Sequence, residues 1–570
     1  MILKGIGASD GYSIAKAYKF SQVETVIDKK SIENIESELI RLEDAIEKSR
    51  IQLTEIMEKT RINLDEEHAA IFDAHIQILT DPELLGGAKE KIQSENVNAD
   101  FAFSEVANTF IMMFEAMEDD YFRERAADMK DVSKRVILNI QGITIQDPSQ
   151  IKEEVIVVAK DLTPSDTALL DKRFVKGFVT DIGGRTSHSA IMARTLEIPA
   201  VVGTKDGFTQ IEDGELLILD GIDGKVICKA DETTLAEYRE KQEAFLKQKE
   251  MLKVFKEKAT VTADGKHVDL AANIGSPEDA SGAVENGAEA VGLYRTEFLY
   301  MNNTHFPTEE EQFEAYRSVL ERMGEKPVVV RTLDIGGDKE LSYYDLPHEM
   351  NPFLGNRAIR LCLDNLEIFK TQLRALLRAA KYGNLKIMFP MIATLDEFRQ
   401  AKQFLMEVKE ELEKENVEVG AFELGIMIEI PAAAVLARAF AKEVDFFSIG
   451  TNDLIQYSFA ADRMNEKVSY LYQPFHPALL HLIKGVIDAS HAEGKWTGMC
   501  GEMAGELFAA PLLLGLGLDE FSMSASSILK IRHFMSGVSQ AECQELAEKA
   551  LLCGTEQEVI DLVQAFVSQK

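Results

Sequence analysis

The sequence predicts a multidomain α/β protein in which a helical bundle is inserted into an α/β domain and a closed (β/α)8 barrel follows. Three observations predict this fold class. Strand-like residues at the N-terminus give way to a long helical stretch, strand-like runs return near residue 155, and beyond His267 such runs alternate with helical ones. A chain of 570 residues is also too long for a single hydrophobic core.

Residues 1–20 predict a turn followed by a strand, after which the pattern becomes helical. From Ser31 onward, apolar residues recur mostly every three or four positions, as on one face of a helix. These residues are Ile35, Leu39, Leu42, Ile46, Leu53 and Ile56. Further helical patterns cover 66–80, 83–95, 98–117 and 119–140. Because almost no β-rich segment separates them, residues 21–145 are predicted to form a helical bundle inserted after the first strand.

Residues 146–229 return to an α/β pattern and are predicted to complete the domain that residues 1–20 begin. Strand-like runs occupy 155–158, 175–180, 200–202, 216–219 and 225–228, with Asp-Gly turn signals at 213–214 and 223–224. Residues 230–259 contain neither Gly nor Pro and are rich in Glu and Lys, which predicts a long, solvated linker helix.

Residues 260–570 are predicted to form the (β/α)8 barrel. Eight strand-like runs separated by helical patterns are typical of this fold. The runs are 268–274, 290–296, 328–335, 385–392, 424–430, 446–453, 496–502 and 520–526. In such a barrel, the residues that do chemistry lie at the C-terminal ends of the strands.

Composition excludes several classes of function. The formal net charge is −34, from 62 basic and 96 acidic residues, which argues against nucleic acid or an anionic membrane as a partner. No apolar run approaches membrane-spanning length, and the N-terminus lacks the layout of a signal peptide. The five cysteines show neither a disulfide framework nor a zinc-binding pattern. A cytoplasmic protein is therefore expected.

One histidine stands at a position suited to phosphoryl chemistry. His188 follows a strand-like run and a turn containing Gly183 and Gly184, and the apolar spacing after it predicts a helix. A helix N-terminus offers free N–H groups and a positive dipole to a phosphoryl oxygen, and a neutral imidazole is a competent nucleophile near pH 7. On this stretch alone, His188 could equally be an ordinary residue at the start of a helix.

The predicted strand ends of the barrel carry a second set of candidates. They are Asn273, Arg295, Arg331, Asp334, Glu429, Asn452, Asp453, Cys500 and Glu502, with Arg357 and Arg463 in loops that could reach the same mouth. Arginines at such a site favour a substrate with both a carboxylate and a phosphate. Glu429 and Asp453 are hard oxygen ligands suited to Mg²⁺, and a protonated Cys500 thiol could donate a proton to carbon. The alternatives are structural ion pairs at the rim and a buried, inert cysteine.

Five motifs carry a resemblance to a known family. They are Gly-Gly-Arg-Thr-Ser-His-Ser at 183–189, Gly-Leu-Tyr-Arg-Thr-Glu-Phe at 292–298, Arg-Thr-Leu-Asp-Ile-Gly-Gly-Asp-Lys at 331–339, Gly-Thr-Asn-Asp-Leu at 450–454 and Gly-Met-Cys-Gly-Glu at 498–502. They resemble those of the enzyme I family of the bacterial phosphotransferase system, the phosphoenolpyruvate–protein phosphotransferases. The resemblance covers essentially the whole chain in the same domain order.

The resemblance implies a role for each part of the chain. Residues 1–20 and 146–229 would be a phosphohistidine α/β swivelling domain, 21–145 a helical domain that binds the phosphocarrier protein HPr, 230–259 a linker helix, and 260–570 a phosphoenolpyruvate-binding and dimerisation barrel. His188 would accept the phosphoryl group on Nε2, and Cys500 would protonate the enolate to give pyruvate. Phosphoenolpyruvate would be bound by Arg295, Arg331, Asn452, Asp453 and Arg463.

The remaining implied roles concern the metal, the supporting residues and the partners. Glu429 and Asp453 would hold Mg²⁺, Thr167 would orient His188, and Arg357, Gly183 and Gly184 would support the two sites. A homodimer is expected by the same analogy. On charge, the acidic helix region with Glu66, Glu67 and His75 is a candidate HPr-docking face, although an ordinary solvated helix surface fits the same pattern.

Two alternatives remain open at this stage. A pyruvate phosphate dikinase or phosphoenolpyruvate synthase relative would need a nucleotide-binding domain of several hundred residues, for which this chain has no room and no P-loop. A non-catalytic regulatory paralogue would bind partners without chemistry, and the presence of His188, Cys500 and Glu429 argues against it.

Overall fold

The computed structural model describes residues 1–21, 26–63, 66–115, 120–143, 148–184, 187–196, 198–301, 303–337, 339, 341, 343–344, 347–463 and 465–569. The chain divides into two compact units, Met1–Lys249 and Glu250–Lys570. Within the ranges just given, no helix has both the length and the apolar character needed to cross a membrane.

The first unit is built on a mixed sheet. In the described part of the chain its strands are β1 (Ile2–Lys4), β2 (Ile6–Ser9), β3 (Tyr12–Lys19), β4 (Val155–Ala159), β5 (Val175–Thr180), β6 (Ala200–Val202), β7 (Leu216–Asp220) and β8 (Lys225–Cys228). Their spatial order is β1-β8-β7-β3-β4-β5-β6-β2. The pairs β3–β4, β4–β5 and β5–β6 are parallel, and the remaining pairs are antiparallel.

One glycine allows the two edges of this sheet to meet. Strands β1 and β2 lie at opposite edges, yet Gly5 alone separates them in sequence. A Cβ atom at Gly5 would lie 2.6 Å from the carbonyl oxygen of Val202, so only glycine fits the close approach. The sequence predicted one strand in residues 1–20. The short strands β1 and β2 were missed because three or four residues are too few to show a periodic pattern.

The helices of the first unit confirm the predicted insertion. They are α1 (Ile35–Asn63), α2 (Glu66–Leu79), α3 (Pro82–Glu95), α4 (Ala99–Glu115), α5 (Asp120–Gln141), α6 (Pro164–Ala168), α7 (His188–Leu196), α8 (Gly207–Gln210) and α9 (Glu232–Lys253). Helices α1–α5 enter between β3 and β4, which are neighbours in the sheet. Their apolar faces share a core that includes Leu42, Leu53, Phe72, Phe103 and Val132. The exact domain boundaries stay a prediction.

Helix α9 is less solvated at its start than its composition predicts. Tyr238 is buried against Ile218 and Ile227 of the sheet, and its hydroxyl donates a hydrogen bond to Asp220 at 3.0 Å. The Gln242 amide donates to the carbonyl of Tyr12 at 2.9 Å. The first half of the helix is therefore fixed to the α/β domain, which an abundance of Glu and Lys does not reveal.

The second unit confirms the predicted barrel. Among the residues described, eight parallel strands close on themselves, with β16 pairing to β9. The strands are β9 (Asp269–Ile274), β10 (Ala290–Arg295), β11 (Pro327–Arg331), β12 (Asn384–Phe389), β13 (Phe422–Ile428), β14 (Phe446–Ile449), β15 (Trp496–Met499) and β16 (Glu520–Met523). Residues in the lumen, including Leu293, Val329, Met388, Met427 and Phe446, form an apolar cluster, so the barrel is packed rather than hollow.

Helices surround these strands. They are α10 (Asp279–Glu285), α11 (Glu297–Met301), α12 (Glu309–Met323), α13 (Ile359–Asp364), α14 (Leu366–Ala379), α15 (Leu395–Lys414), α16 (Pro431–Val435), α17 (Ala437–Phe440), α18 (Thr451–Phe459), α19 (Pro477–Ala492), α20 (Ala510–Leu516), α21 (Ala525–Gly537), α22 (Gln540–Ala550) and α23 (Glu556–Val567). Several strands end earlier than predicted. Strand β14 stops at Ile449, so Asn452 and Asp453 lie in the first turn of α18 instead of on the strand.

A buried carboxyl lies at the opposite, N-terminal end of the barrel. Glu520 is the first residue of β16, and its Oε1 atom is buried without a hydrogen-bond partner among the described residues. Cβ atoms built on Gly292 and Gly498 would lie 2.6 and 2.9 Å from that oxygen. Burial, with a contribution from Asp269, raises the pKa of Glu520 to about 8. The carboxyl is therefore protonated at neutral pH.

This burial predicts a pH dependence of stability. Because the folded-state pKa of Glu520 is raised from its ordinary value of 4.5 to about 8, its contribution to stability is complete below pH 4.5 and is lost as the pH rises through 8. Glu520→Gln cannot ionise. Relative to the wild type, its free energy of unfolding should therefore increase between pH 5 and 8.5 by more than about 1.4 kcal/mol, the equivalent of one pKa unit.

Urea unfolding followed by the fluorescence of Trp496, the single tryptophan of the sequence, measures this difference. Glu413→Gln, at an exposed acid of α15, is the matched control and should show no such trend. A difference between Glu520→Gln and the wild type that stays constant with pH would contradict the assignment.

Candidate active site

A cavity of about 590 Å³ opens at the C-terminal ends of the barrel strands. Its lining includes ten of the residues predicted from the sequence: Arg295, Arg331, Asp334, Arg357, Glu429, Asn452, Asp453, Arg463, Cys500 and Glu502. Sequence reasoning did not single out Glu297, Lys339 or Tyr472, which line it as well. Glu297 and Lys339 lie within the quoted 292–298 and 331–339 motifs, so a signal for them was present. Tyr472 lies in none of the quoted motifs.

The parallel barrel itself brings the arginines together. Arg295 and Arg331 end strands β10 and β11 and are register partners. Since the C-terminal ends of parallel strands meet at one rim, side chains far apart in sequence converge there.

A buried ion network holds the arginines. Arg331 Nη2 lies 2.6 Å from Glu297 Oε1 and 2.9 Å from Asp334 Oδ2. Arg357 Nη2 lies 3.0 Å from the other Asp334 oxygen, and Lys339 Nζ lies 2.8 Å from Glu297 and 2.9 Å from Asp334. Burial alone would raise the pKa of Asp334, but Arg331, Lys339 and Arg357 outweigh it and hold that pKa well below its usual value.

Several polar atoms of the mouth have no partner within the described part of the protein. These buried atoms are Arg331 Nε, Arg357 Nε, Glu297 Oε2 and Asp453 Oδ1. Arg331 Nη1 makes a long contact with the sulfur of Met427, at 3.7 Å. Buried polar groups normally have hydrogen-bond partners, so unpaired ones in a cavity point to a polar ligand.

Glu429 follows strand β13 directly and is buried. Its Oε1 accepts a 2.6 Å hydrogen bond from the backbone N–H of Met391, whose φ of 56° is unusual for a residue other than glycine. Burial and the nearby carboxylates of Asp453 and Asp334 raise the pKa of Glu429 to about 8, even though Arg331 and Arg357 lower it.

Asn452 and Asp453 lie at the N-terminus of α18. The Asn452 amide donates to Glu502 at 3.5 Å, and its Oδ1 accepts from the Tyr472 hydroxyl at 3.3 Å. Asp453 Oδ2 lies 3.8 Å from Arg357. The side chains that follow β14 and β15 are thereby linked around the cavity.

Cys500, the residue after β15, is a buried thiol that lines the cavity. Its Sγ lies 3.8 Å from the carbonyl oxygen of Ile449, and the Asn273 amide donates to its carbonyl at 3.1 Å. Burial raises the pKa of Cys500 to about 11, so the thiol keeps its proton at neutral pH. Asn273 therefore contacts the Cys500 backbone, although it is not part of the cavity lining.

The second predicted site lies in the first unit. Helix α7 begins at His188, as the sequence predicts. Gly183 has a φ of 120°, which favours glycine, and the Ser187 hydroxyl donates to the carbonyl of Gly184 at 2.8 Å. The His188 side chain lies outside the described part of the structure. Thr167 is buried in α6, which packs against α7, and its hydroxyl donates to the Thr163 carbonyl at 3.1 Å.

One predicted docking residue requires a correction. His75 is fully buried, and its Nε2 lies 3.0 Å from Asp128 and its Nδ1 4.0 Å from Asp131. Because it is buried, His75 cannot contact a partner on the bundle surface. The prediction was wrong because acidic composition does not tell which side of a helix faces inward. Glu66 and Glu67 begin α2, and their side chains lie outside the described part.

Comparisons with known proteins identify the family of the chain. Three family models match: "PEP-utilising enzyme, N-terminal" over residues 4–125, "PEP-utilising enzyme, mobile domain" over 151–224 and "PEP-utilising enzyme, PEP-binding domain" over 249–540. Phosphoenolpyruvate-protein phosphotransferase of Listeria innocua is 60% identical over 100% of this chain and 99% of its own length. The protein of that name from Geobacillus stearothermophilus is 59% identical over 98% and 97%.

The chain belongs to the phosphoenolpyruvate-protein phosphotransferase family. Among solved structures, a solution structure of Enzyme I (nEIt) protein is 42% identical over 43% of this chain and 99% of its own, with a TM-score of 0.40. As a member of this family, the chain is an enzyme. The two curated relatives carry the name phosphoenolpyruvate-protein phosphotransferase rather than that of a dikinase or a synthase.

The residues that line the cavity can be compared with what a bound Mg²⁺ would require. Among described residues, no group of three His, Cys, Asp or Glu side chains is placed to hold a metal ion. Mg²⁺ is often held by one or two carboxylates together with substrate oxygens and water. Glu429 and the unpaired Asp453 Oδ1 fit that smaller requirement.

The ion network predicts that Asp334 is essential to the stability of this barrel. Asp334→Asn removes the buried carboxylate that Arg331, Lys339 and Arg357 share and leaves Arg331 and Lys339 with Glu297 alone. The loss of this counter-charge should lower the free energy of unfolding by about 3 kcal/mol. Urea unfolding followed by Trp496 fluorescence reports on the second unit. Glu413→Gln removes the exposed pair with Lys409 and should change stability by less than about 0.5 kcal/mol. Equal effects of the two substitutions would refute the importance of the network.

Proposed function

We propose that this chain transfers the phosphoryl group of phosphoenolpyruvate to Nε2 of its own His188 and then to a histidine of the phosphocarrier protein HPr, releasing pyruvate. This reaction is the first step of the phosphoenolpyruvate-dependent sugar phosphotransferase system. The observation that carries the proposal is a cavity of cations, carboxylates and one buried thiol in a chain about 60% identical to phosphoenolpyruvate-protein phosphotransferases.

In this proposal the cavity binds both anionic groups of the substrate. Arg295, Arg331 and Arg463 bind its phosphate and carboxylate, since guanidinium groups match both anions bidentately. Asn452 and Asp453 orient the substrate at the N-terminus of α18, and Arg357 supports them through Asp334 and Asp453. Glu429 and Asp453 would hold Mg²⁺, which when bound neutralises negative charge on the transferring phosphoryl group.

The chemical step needs an acceptor and a proton donor. The bond between phosphorus and the enol oxygen breaks, and a bond between phosphorus and His188 Nε2 forms. The resulting enolate takes a proton at its terminal carbon from the Cys500 thiol, which gives pyruvate. A thiol that keeps its proton at neutral pH suits this role, and the raised pKa of Cys500 supports the assignment.

The acceptor and the substrate site belong to different units. His188 lies in the first unit and the cavity residues in the second. The proposed reaction therefore requires His188 to reach the barrel mouth and later to reach HPr, with Gly183, Gly184 and Thr167 supporting its helix. Glu66 and Glu67 remain candidates for the HPr-docking face, because an acidic surface attracts a basic partner. The homodimer and the cytoplasmic location stay predictions.

The acceptor role of His188 can be tested directly. His188→Gln should abolish labelling of the chain by phosphoenolpyruvate carrying a radioactive phosphate, because the acceptor nitrogen is lost while the cavity residues remain. The test measures acid-labile, base-stable label on the purified protein and on added HPr. His267→Gln, at an exposed histidine of the second unit, is the matched control and should label normally. Full labelling of His188→Gln would refute the assignment.

The proton-donor role of Cys500 makes a separate prediction. Cys500→Ala should lower the rate of pyruvate formation by at least about 100-fold, the usual contribution of a general acid, while phosphoenolpyruvate still binds. Pyruvate release is followed with a coupled lactate dehydrogenase assay, and binding by calorimetry. Cys362→Ala removes another buried thiol, outside the cavity lining, and should leave the rate within about twofold. An unchanged rate in Cys500→Ala would make Cys500 a structural residue.

A further inference from the structure

One buried amide stands out on the inner face of helix α14. The surrounding buried positions Phe369, Leu373 and Leu376 are apolar and belong to the barrel core. Gln372 lies among them with no exposed surface. Burying an amide costs free energy unless its polar atoms are hydrogen-bonded, so its partners explain its presence.

Each polar atom of Gln372 has a partner. Its Oε1 accepts a hydrogen bond from the backbone N–H of Leu333 at 2.9 Å. Its Nε2 donates to Thr296 Oγ1 at 3.1 Å and to the Tyr316 hydroxyl at 3.1 Å. Thr296 and Tyr316 are fully buried and Leu333 almost fully, so water is not available to replace any of these bonds.

The partners of Gln372 are neighbours of the proposed substrate-binding residues. Thr296 follows Arg295 and precedes Glu297, and its hydroxyl donates to the carbonyl of Arg331 at 2.8 Å. Alternate residues of an extended chain point to opposite faces. Arg295 therefore lines the cavity while Thr296 contacts the helix behind it.

Leu333 lies two residues beyond the end of β11. It lies between Arg331 and Asp334, both of which line the cavity. A single amide is thus bonded to the segment after β10 and to the segment after β11. The Thr296 hydroxyl adds a direct hydrogen bond to Arg331, the last residue of β11.

We propose that Gln372 is a positioning residue for the phosphotransfer reaction. It fixes the ends of β10 and β11 so that Arg295 and Arg331 contact the substrate in one geometry. The expected change in kcat/KM rests on the proposed function, whereas the contacts of Gln372 do not. Gln372 does not line the cavity and acts through Thr296 and Leu333.

The amide is chemically specific for this task. Leucine would fill a similar volume but would leave the Leu333 N–H unpaired and deprive Thr296 of its donor. Glutamate would accept from Leu333 but, when ionised, could donate to neither hydroxyl. A displacement of about 1 Å in a binding group can cost as much as 100-fold in rate, so the loss of this contact should be visible in turnover.

The experiment compares two buried glutamines. Gln372→Leu should lower kcat/KM for phosphoenolpyruvate at least tenfold, while phosphoryl transfer from phospho-HPr back to the chain, which uses His188 of the first unit, stays within twofold. Gln312→Leu removes a buried amide that is bonded to Pro307, Tyr300 and Tyr316 but to none of Thr296, Arg331 and Leu333. It should lower thermal stability and leave kcat/KM within threefold. Equal losses of kcat/KM in the two variants would overturn the proposal.

A second pair of variants covers the case in which Gln372→Leu does not fold. Thr296→Val removes the hydroxyl that joins Gln372 to the Arg331 carbonyl and should also lower kcat/KM about tenfold or more. Thr296→Ser keeps the hydroxyl and should restore at least half of the wild-type value. A Thr296→Val variant with wild-type kcat/KM would overturn the proposal.

A structural readout separates this inference from the proposed function. In a crystal structure of Gln372→Leu or Thr296→Val, the distance between the backbones of residues 296 and 331 should increase by more than about 0.5 Å relative to the wild type. Unmoved segments would overturn the proposal, whatever the activity. If the wild type takes no label from phosphoenolpyruvate, the proposed function fails, and the crystal structures still decide whether Gln372 fixes the strand ends.

Discussion

The buried carboxylate of Asp334 is the constraint on which the barrel mouth depends. Three cations surround it, and each would be costly to bury without a counter-charge. Arg331 and Lys339 also share Glu297, and Arg331 Nε has no hydrogen-bond partner among the described residues. The network therefore does more than stabilise the fold. It fixes the donors of Arg331 in advance, so that little conformational freedom is lost when an anion binds.

Asp334 and Glu520, two buried carboxyls at opposite ends of the barrel, are held in opposite protonation states. At the C-terminal rim, Asp334 stays ionised because cations outweigh the cost of burial, whereas at the N-terminal end Glu520 stays protonated because its burial is not compensated to the same degree. An apolar layer that includes Leu293, Met388 and Phe446 lies in the lumen. The charge on each acid is thus set by its local partners. This explains why chemistry is expected only at the rim where cations and carboxylates converge.

Sequence patterns predicted the long helices and the barrel strands, whose apolar residues recur at regular spacing. The bundle helices and the barrel strands were found because their apolar spacing repeats over many residues. The motif residues Arg295, Arg331, Glu429 and Cys500 were found because they lie toward the C-terminal ends of predicted strands. Patterns could not show which face of a helix is buried, so His75 was assigned to the surface. They also could not show contacts between distant segments, which is why the roles of Tyr238 and Gln372 appear only in the structure. Short strands such as β1 are defined by their partners rather than by their own sequence.

Burial of Cys500 connects two demands of the proposed reaction. A proton donor must keep its proton until the enolate forms, and exclusion of solvent raises the pKa of the thiol enough to ensure this at neutral pH. In the proposed reaction, the same exclusion of water would protect the phosphoryl group from hydrolysis and strengthen its interactions with the arginines. A solvated thiol at this position would lose its proton more readily and would also admit water. In the proposed reaction, the burial of Cys500 would therefore serve both proton transfer and retention of the phosphoryl group through one physical cause.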